Sequence, residues 1–137
     1  MTDKELINEA LLAREKSYCP YSNFAVGAAL LTASGKVFRG CNIENAAYTP
    51  TICAERTAFF KAVSEGERDF LKIAIVGGSV EKPIDDFAYP CGVCRQVMRE
   101  FCDPESFKVI VAVNTDKYIE KTLGEILPLG FGPENLA

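Results

Sequence analysis

Cys53-Ala54-Glu55-Arg56-Thr57-Ala58-Phe59-Phe60-Lys61-Ala62-Val63 is the run on which the reading of this chain turns. From Glu55, steps of three, four, seven and eight residues reach Ala58, Phe59, Ala62 and Val63, all apolar. That period predicts a helix whose buried face includes Glu55. A carboxylate there costs free energy unless it is paired, hydrogen-bonded or neutralised. Desolvation raises its pKa, which suits a group that accepts and returns protons near neutrality. Taken alone, Glu55 is more simply a first-turn carboxylate that serves a cap or faces solvent; the thiols around it change that reading.

Cys53 and Glu55 are two residues apart, about 200° around a regular helix. They cannot serve one site from mid-helix, so Cys53 is placed at the helix entrance. A second entrance lies far along the chain, at Pro90-Cys91-Gly92-Val93-Cys94. Cys91, Cys94, Val97, Met98, Phe101 and Cys102 fall on one helical stripe, which Asp103-Pro104 stops. Cysteines on an apolar face are ordinarily small core hydrophobes, and that account suits Cys102, Cys19 and Cys41. It suits Cys91 and Cys94 less well. Both lie in a first turn, where unpaired N–H groups and the helix dipole favour thiolates.

By itself, C-x-x-C is compatible with metal or redox chemistry. Its late position and the earlier thiol Cys53 argue for metal. Three thiolates leave one of zinc's four positions open, as in catalytic sites; a fourth thiol from Cys19, Cys41 or Cys102 would close it into a structural one. Three thiolates on Zn²⁺ leave a net negative centre, and the helix dipoles offset part of it. Arg56 is placed to donate to a ligand sulfur, with Arg95 as a second candidate.

Working outward, Thr2-Asp3-Lys4-Glu5 has capping-box spacing, and Leu6, Ile7, Ala10 and Leu11 predict a helix from residue 3 to about 17. Phe24 to Thr32, the Ser34-Gly35 turn and Lys36 to Cys41 predict a β-hairpin. Gly27-Ala28-Ala29 in its first strand signals close approach by a helix. The helix after Cys53 is expected to end near Gly66. Further strands are expected at 73–76, 109–113 and around Tyr118, with a last helical turn at 123–127. Residues 77–89 read as loop. Strands alternating with helices argue for one sheet covered on both faces, in a single domain spanning residues 1–137.

The chain has 137 residues, 48% hydrophobic and 25% charged, with a formal charge of −4 and no His. Acid–base chemistry therefore falls to a carboxylate, and a metal site to Cys, Asp or Glu. No cluster of Lys and Arg forms the footprint of a nucleic-acid groove. No apolar run reaches the roughly 18 residues of a membrane span, and no apolar leader opens the chain. The expectation is a cytoplasmic protein with reduced thiols, with neither nucleic acid nor membrane as partner.

Cys53-Ala54-Glu55 with Pro90-Cys91-Gly92-Val93-Cys94 has the form of the zinc nucleobase-deaminase signature. Together with Phe24-Ala25-Val26-Gly27-Ala28-Ala29-Leu30 and Gly40-Cys41-Asn42-Ile43-Glu44-Asn45, it makes the chain resemble the small homotetrameric cytidine deaminases, from Leu6 to Phe131. The resemblance implies an α/β fold of three layers, αβα, with a mixed five-stranded sheet flanked by helices. It implies hydrolytic deamination of cytidine and deoxycytidine in pyrimidine nucleoside salvage. Cys53, Cys91 and Cys94 match the ligands of one zinc per chain. That zinc supplies hydroxide to C4 of cytosine, and Glu55 matches the proton shuttle. Asn42 and Glu44 match a pair on the ribose 3′-hydroxyl, Phe24 an aromatic on the pyrimidine, and the backbone of Ala54 a contact to the base edge. Tyr48 and Phe131 match residues lent to a neighbouring subunit's site. Three other readings compete: a deaminase of blasticidin type, a non-catalytic zinc-stabilised binding module, and a polynucleotide editor, against which the acidic balance and the absent basic groove count.

Overall fold

The computed structural model describes residues 1–136. Helix α1 (Asp3–Arg14) starts at the expected capping box: Glu5 N–H donates to Thr2 Oγ1 at 3.1 Å, and Thr2 N–H to Glu5 Oε1 at 2.9 Å. Strands β1 (Phe24–Thr32) and β2 (Val37–Cys41) form the hairpin, with Gly35 at φ 91 in its turn. Helix α2 (Ala54–Ser64) follows and ends at Gly66, whose φ of 97 suits a glycine beyond a helix end. Strand β3 (Phe70–Ser79), helix α3 (Gly92–Phe101) and strand β4 (Lys108–Ala112) make a crossover between parallel neighbours. Strand β5 (Tyr118–Thr122) and the short helix α4 (Leu123–Ile126) come next, and a 3₁₀ turn (Pro133–Asn135) follows them.

The sheet order is β2-β1-β3-β4-β5, antiparallel except between β3 and β4. Alternate residues along each strand enter opposite cores. Leu30, Ile73, Ile75, Val109 and Val111 pack with Ala58, Phe59 and Ala62 of α2 and Met98 of α3. Ala29, Leu31, Ala74, Val76 and Ile110 pack with Leu6, Ile7 and Ala10 of α1. The mixed five-stranded sheet therefore lies between two helical layers, as expected. No described helix is long and apolar enough to cross a membrane.

Two glycines set the helices on the sheet. A Cβ on Gly27 would strike the carbonyl oxygen of Ala10 and come within 2.5 Å of the Arg14 nitrogen, so α1 lies directly on β1. A Cβ on Gly40 would strike the carbonyl oxygen of Ala54 and come within 2.5 Å of the Ala58 nitrogen. Gly40 thus fixes where the entrance of α2, and with it Cys53, meets the sheet.

Strand β3 is longer than the expected 73–76. Its ends pair with β1, Phe70 opposite Thr32 and Ser79 opposite Phe24. Gly77 and Gly78 lie inside the strand, and at Gly77 the space demands a glycine: a Cβ there would come within 2.8 Å of the Ala88 Cβ. The α1 helix also stops earlier than 17, at Arg14. The Arg14 side chain turns back to donate from Nε to the Ala25 carbonyl at 2.8 Å and from Nη2 to the Gly78 carbonyl at 2.9 Å.

Candidate active site

Both thiol-bearing entrances form as expected. Cys53 is the N-cap of α2 (φ −78, ψ 155) and Cys91 the N-cap of α3 (φ −69, ψ 168). Cys94 sits in the first turn of α3 and is buried. The Cys53 and Cys91 sulfurs are 3.8 Å apart, those of Cys91 and Cys94 3.5 Å, and all three lie within 4.8 Å of one another. Cys19, Cys41 and Cys102 stay outside this cluster. The three thiols could therefore hold a metal ion.

The electrostatics around the cluster favour one thiolate, at Cys53. Cys53 is held down to about 5, first by a hydrogen bond from the Cys94 thiol and then by Arg56, whose Nη2 donates to Cys53 Sγ at 3.3 Å. Cys94 is pushed up correspondingly, because its proton serves Cys53. Thiolates are the form that binds metal, so a soft donor set with one thiolate already favoured fits a zinc ion. Arg56 occupies the place expected of it. Arg95 does not: its Nε donates to the Pro90 carbonyl at 2.7 Å and its Nη1 to the Ile126 carbonyl at 2.6 Å. It faces backbone oxygens, and no sulfur is among its partners.

Glu55 is 4% exposed, on the buried face that its period predicts. Burial pushes its carboxyl up to about 7. It lines a cavity of about 300 Å³ together with Cys53, Cys91, Ala54, Phe24 and Asn42. Tyr89 also lines it, a residue the sequence reading did not single out. Its one signal is its place, immediately before Pro90-Cys91. Glu44 and Tyr48 line an adjoining cleft of about 350 Å³ that shares Thr51 with the first. Phe131 lies in neither. It is 57% exposed, and its carbonyl accepts from Gln96 Nε2 at 2.9 Å.

Asn42 and Glu44 are engaged within the chain. Asn42 Nδ2 donates to the Phe24 carbonyl at 2.8 Å, and its Oδ1 accepts from Val26 N–H at 2.9 Å and Ser17 Oγ at 2.5 Å. It brackets the strand end that presents Phe24 to the cavity. One amide N–H of Asn42 is left over by this count. Glu44 accepts from the backbone N–H groups of Tyr21 at 2.9 Å and Ser22 at 3.1 Å and from the Ser22 hydroxyl, which together hold its carboxylate below the usual range.

A three-thiol cluster at two helix entrances, beside a buried carboxylate and under a mixed sheet, defines the zinc-binding deaminase class. Residues 1–112 match the family model for the cytidine and deoxycytidylate deaminase zinc-binding region, and the chain belongs to that family. Within it, the chain is similar to proteins named cytidine deaminase. It is 50% identical over 136 residues to one from Halalkalibacterium halodurans, covering 99% of this chain and 98% of the other. It is 48% identical over 137 residues to one from Sporosarcina psychrophila, covering 100% and 96%. A crystal structure of cytidine deaminase from Burkholderia pseudomallei superposes with a TM-score of 0.86 at 47% identity, covering 96% of this chain and 100% of that one.

Proposed function

We propose that this chain catalyses the hydrolytic deamination of cytidine and deoxycytidine to uridine and deoxyuridine with release of ammonia, in pyrimidine nucleoside salvage. The observation that carries this reading is the buried Glu55 carboxyl, held near 7, sharing one cavity with Cys53 and Cys91. Cys53, Cys91 and Cys94 would hold one zinc per chain, which supplies Lewis-acid activation of water near neutral pH. Glu55 accepts one proton of the attacking water and delivers it to N3 of the cytosine ring, then takes the second from the new C4 hydroxyl and passes it to the departing amine as the C4 carbonyl forms. One carboxylate suffices because it returns to its ionised form after each transfer, so a chain without His is not handicapped.

The walls sort the substrate. Phe24 offers an apolar face to the pyrimidine, and the Ala54 backbone contacts the base edge; both residues line the same cavity, which supports these roles. The spare Asn42 N–H donates to a sugar hydroxyl, and Glu44 accepts from one. A carboxylate there repels phosphate, so nucleosides are preferred to nucleotides. Tyr48 is 74% exposed and Phe131 57% exposed, in keeping with rings that complete a neighbour's site in a homotetramer. The need for reduced thiols agrees with a cytoplasmic location.

The test is conversion of cytidine by zinc-loaded protein, with uridine and ammonia quantified. No conversion would overturn the reading. Turnover of blasticidin S in place of cytidine would move the chain to the neighbouring deaminase type.

A further inference from the structure

The three thiols are held in different ways. Cys94 is packed into the core at 1% exposure, and Cys53 is held by Arg56 at 3.3 Å. Cys91 is exposed, so packing does not fix it. Its direction depends on the two peptide planes that flank its Cα. Both planes are tied to one residue. The backbone N–H of Arg95 donates to the Cys91 carbonyl at 3.0 Å, and its Nε donates to the Pro90 carbonyl at 2.7 Å. From the same guanidinium, Nη1 reaches the Ile126 carbonyl, at the end of α4, at 2.6 Å.

We propose that Arg95 is a positioning residue for Cys91, tying the entrance of α3 to the C-terminal segment so that the exposed thiol keeps its direction toward Cys53 and Cys94. The planar guanidinium serves two carbonyls at once from fixed directions, which a lysine ammonium cannot reproduce. Charge-assisted hydrogen bonds of this kind are the stronger sort. The Ile126 carbonyl is one that a helix end leaves without an internal partner, so Arg95 satisfies it as well. The C-terminal segment is thereby part of the frame of the thiol cluster, although it contributes no thiol. Further along α3, Arg99 pairs with Glu134 and holds the same segment without touching Pro90 or Cys91.

The inference rests on the functional reading above for the metal, and its test includes a readout that needs none. Arg95→Met keeps the stem and the backbone bond to the Cys91 carbonyl and removes the two guanidinium contacts, to the Pro90 and Ile126 carbonyls; Arg99→Met loosens the same segment elsewhere. Zinc affinity is measured by competition with a chromogenic chelator. Hydrogen exchange of the Cys94 and Arg95 amides, which donate to Cys91 Sγ and the Cys91 carbonyl, is measured in the reduced, metal-free protein. Arg95→Met is expected to weaken zinc binding about ten- to a hundredfold, the usual cost of losing a group that orients a ligand, and to speed exchange at both amides at least tenfold. Arg99→Met is expected to stay within twofold of the parent on both.

Arg95→Met within twofold of the parent on both would overturn the proposal. So would Arg99→Met matching Arg95→Met, since the effect would then be general loosening. If Arg95→Met does not fold, Arg95→Lys replaces it. Its ammonium keeps the charge but lacks two spaced nitrogens in fixed directions, so an intermediate loss supports the role and parental affinity refutes it. A parent that takes up no zinc defeats the functional reading instead, and the exchange rates alone then decide the role of Arg95.

Discussion

Replacing Glu55 by Gln separates what the carboxylate does for the reaction from what it costs the fold. Burial holds this carboxyl at about 7, against 4.5 for an ordinary glutamate. At about 1.4 kcal/mol per pH unit, ionising it in the folded metal-free chain costs on the order of 3 kcal/mol more than in the unfolded chain. The folded value is the raised one. The unfolded chain therefore releases this proton first, and the associated stability is full below about 4.5 and lost as pH rises through about 7. The substituted glutamine has nearly the same shape and never ionises. Urea unfolding of reduced, metal-free protein is expected to show E55Q more stable than the parent at pH 8 by on the order of 2–3 kcal/mol, shrinking to under about 1 kcal/mol at pH 5. Zinc-loaded E55Q is expected to keep its metal and lose about 10²- to 10⁴-fold in deamination rate. A stability gap that does not change with pH, or a variant less stable than the parent at pH 8, would refute the assignment of Glu55 as a buried, high-pKa carboxyl.

Other perturbations probe the supports of the site. Arg56→Gln removes a donor at 3.3 Å from Cys53 Sγ, so the Cys53 thiol, held at about 5 in the parent, should rise; thiolate absorbance in the metal-free protein during a pH titration follows it. An unchanged titration would remove Arg56 from the account. Gly40→Ala forces a Cβ into the Ala54 carbonyl and should lower stability by roughly 1–3 kcal/mol while reducing bound zinc, because the entrance bearing Cys53 must move. Thermal melts and metal analysis check this, and full zinc content at a parental melting temperature would contradict it. Asn42→Ala strands the Phe24 carbonyl and the Val26 N–H, so it should cost about 2 kcal/mol and raise KM for cytidine more than it lowers kcat.

Much of the site could be read from spacing, because its parts repeat local rules. The period of the helix after Cys53 put Glu55 on a buried face, and the two-residue offset put Cys53 at the entrance; both hold in the structure. The small residues of β1 announced the contact with α1 that Gly27 makes. Long-range hydrogen bonds could not be read this way. The grip of Asn42 on Phe24 and Val26 spans 18 and 16 residues, and that of Arg95 on Ile126 spans 31. Nothing local distinguishes Arg95 from a surface arginine. The ends of β3 escaped for a related reason. Gly77 and Gly78 look like loop residues until their pairing with Val26 and Ala25 on β1 is known.

Zinc content and cytidine turnover, measured on one sample, test the central claim most directly. The account predicts about one zinc per chain, with uridine and ammonia produced in equal amounts and both lost when a chelator removes the metal. A sample that carries one zinc per chain and leaves cytidine and deoxycytidine unchanged would contradict it.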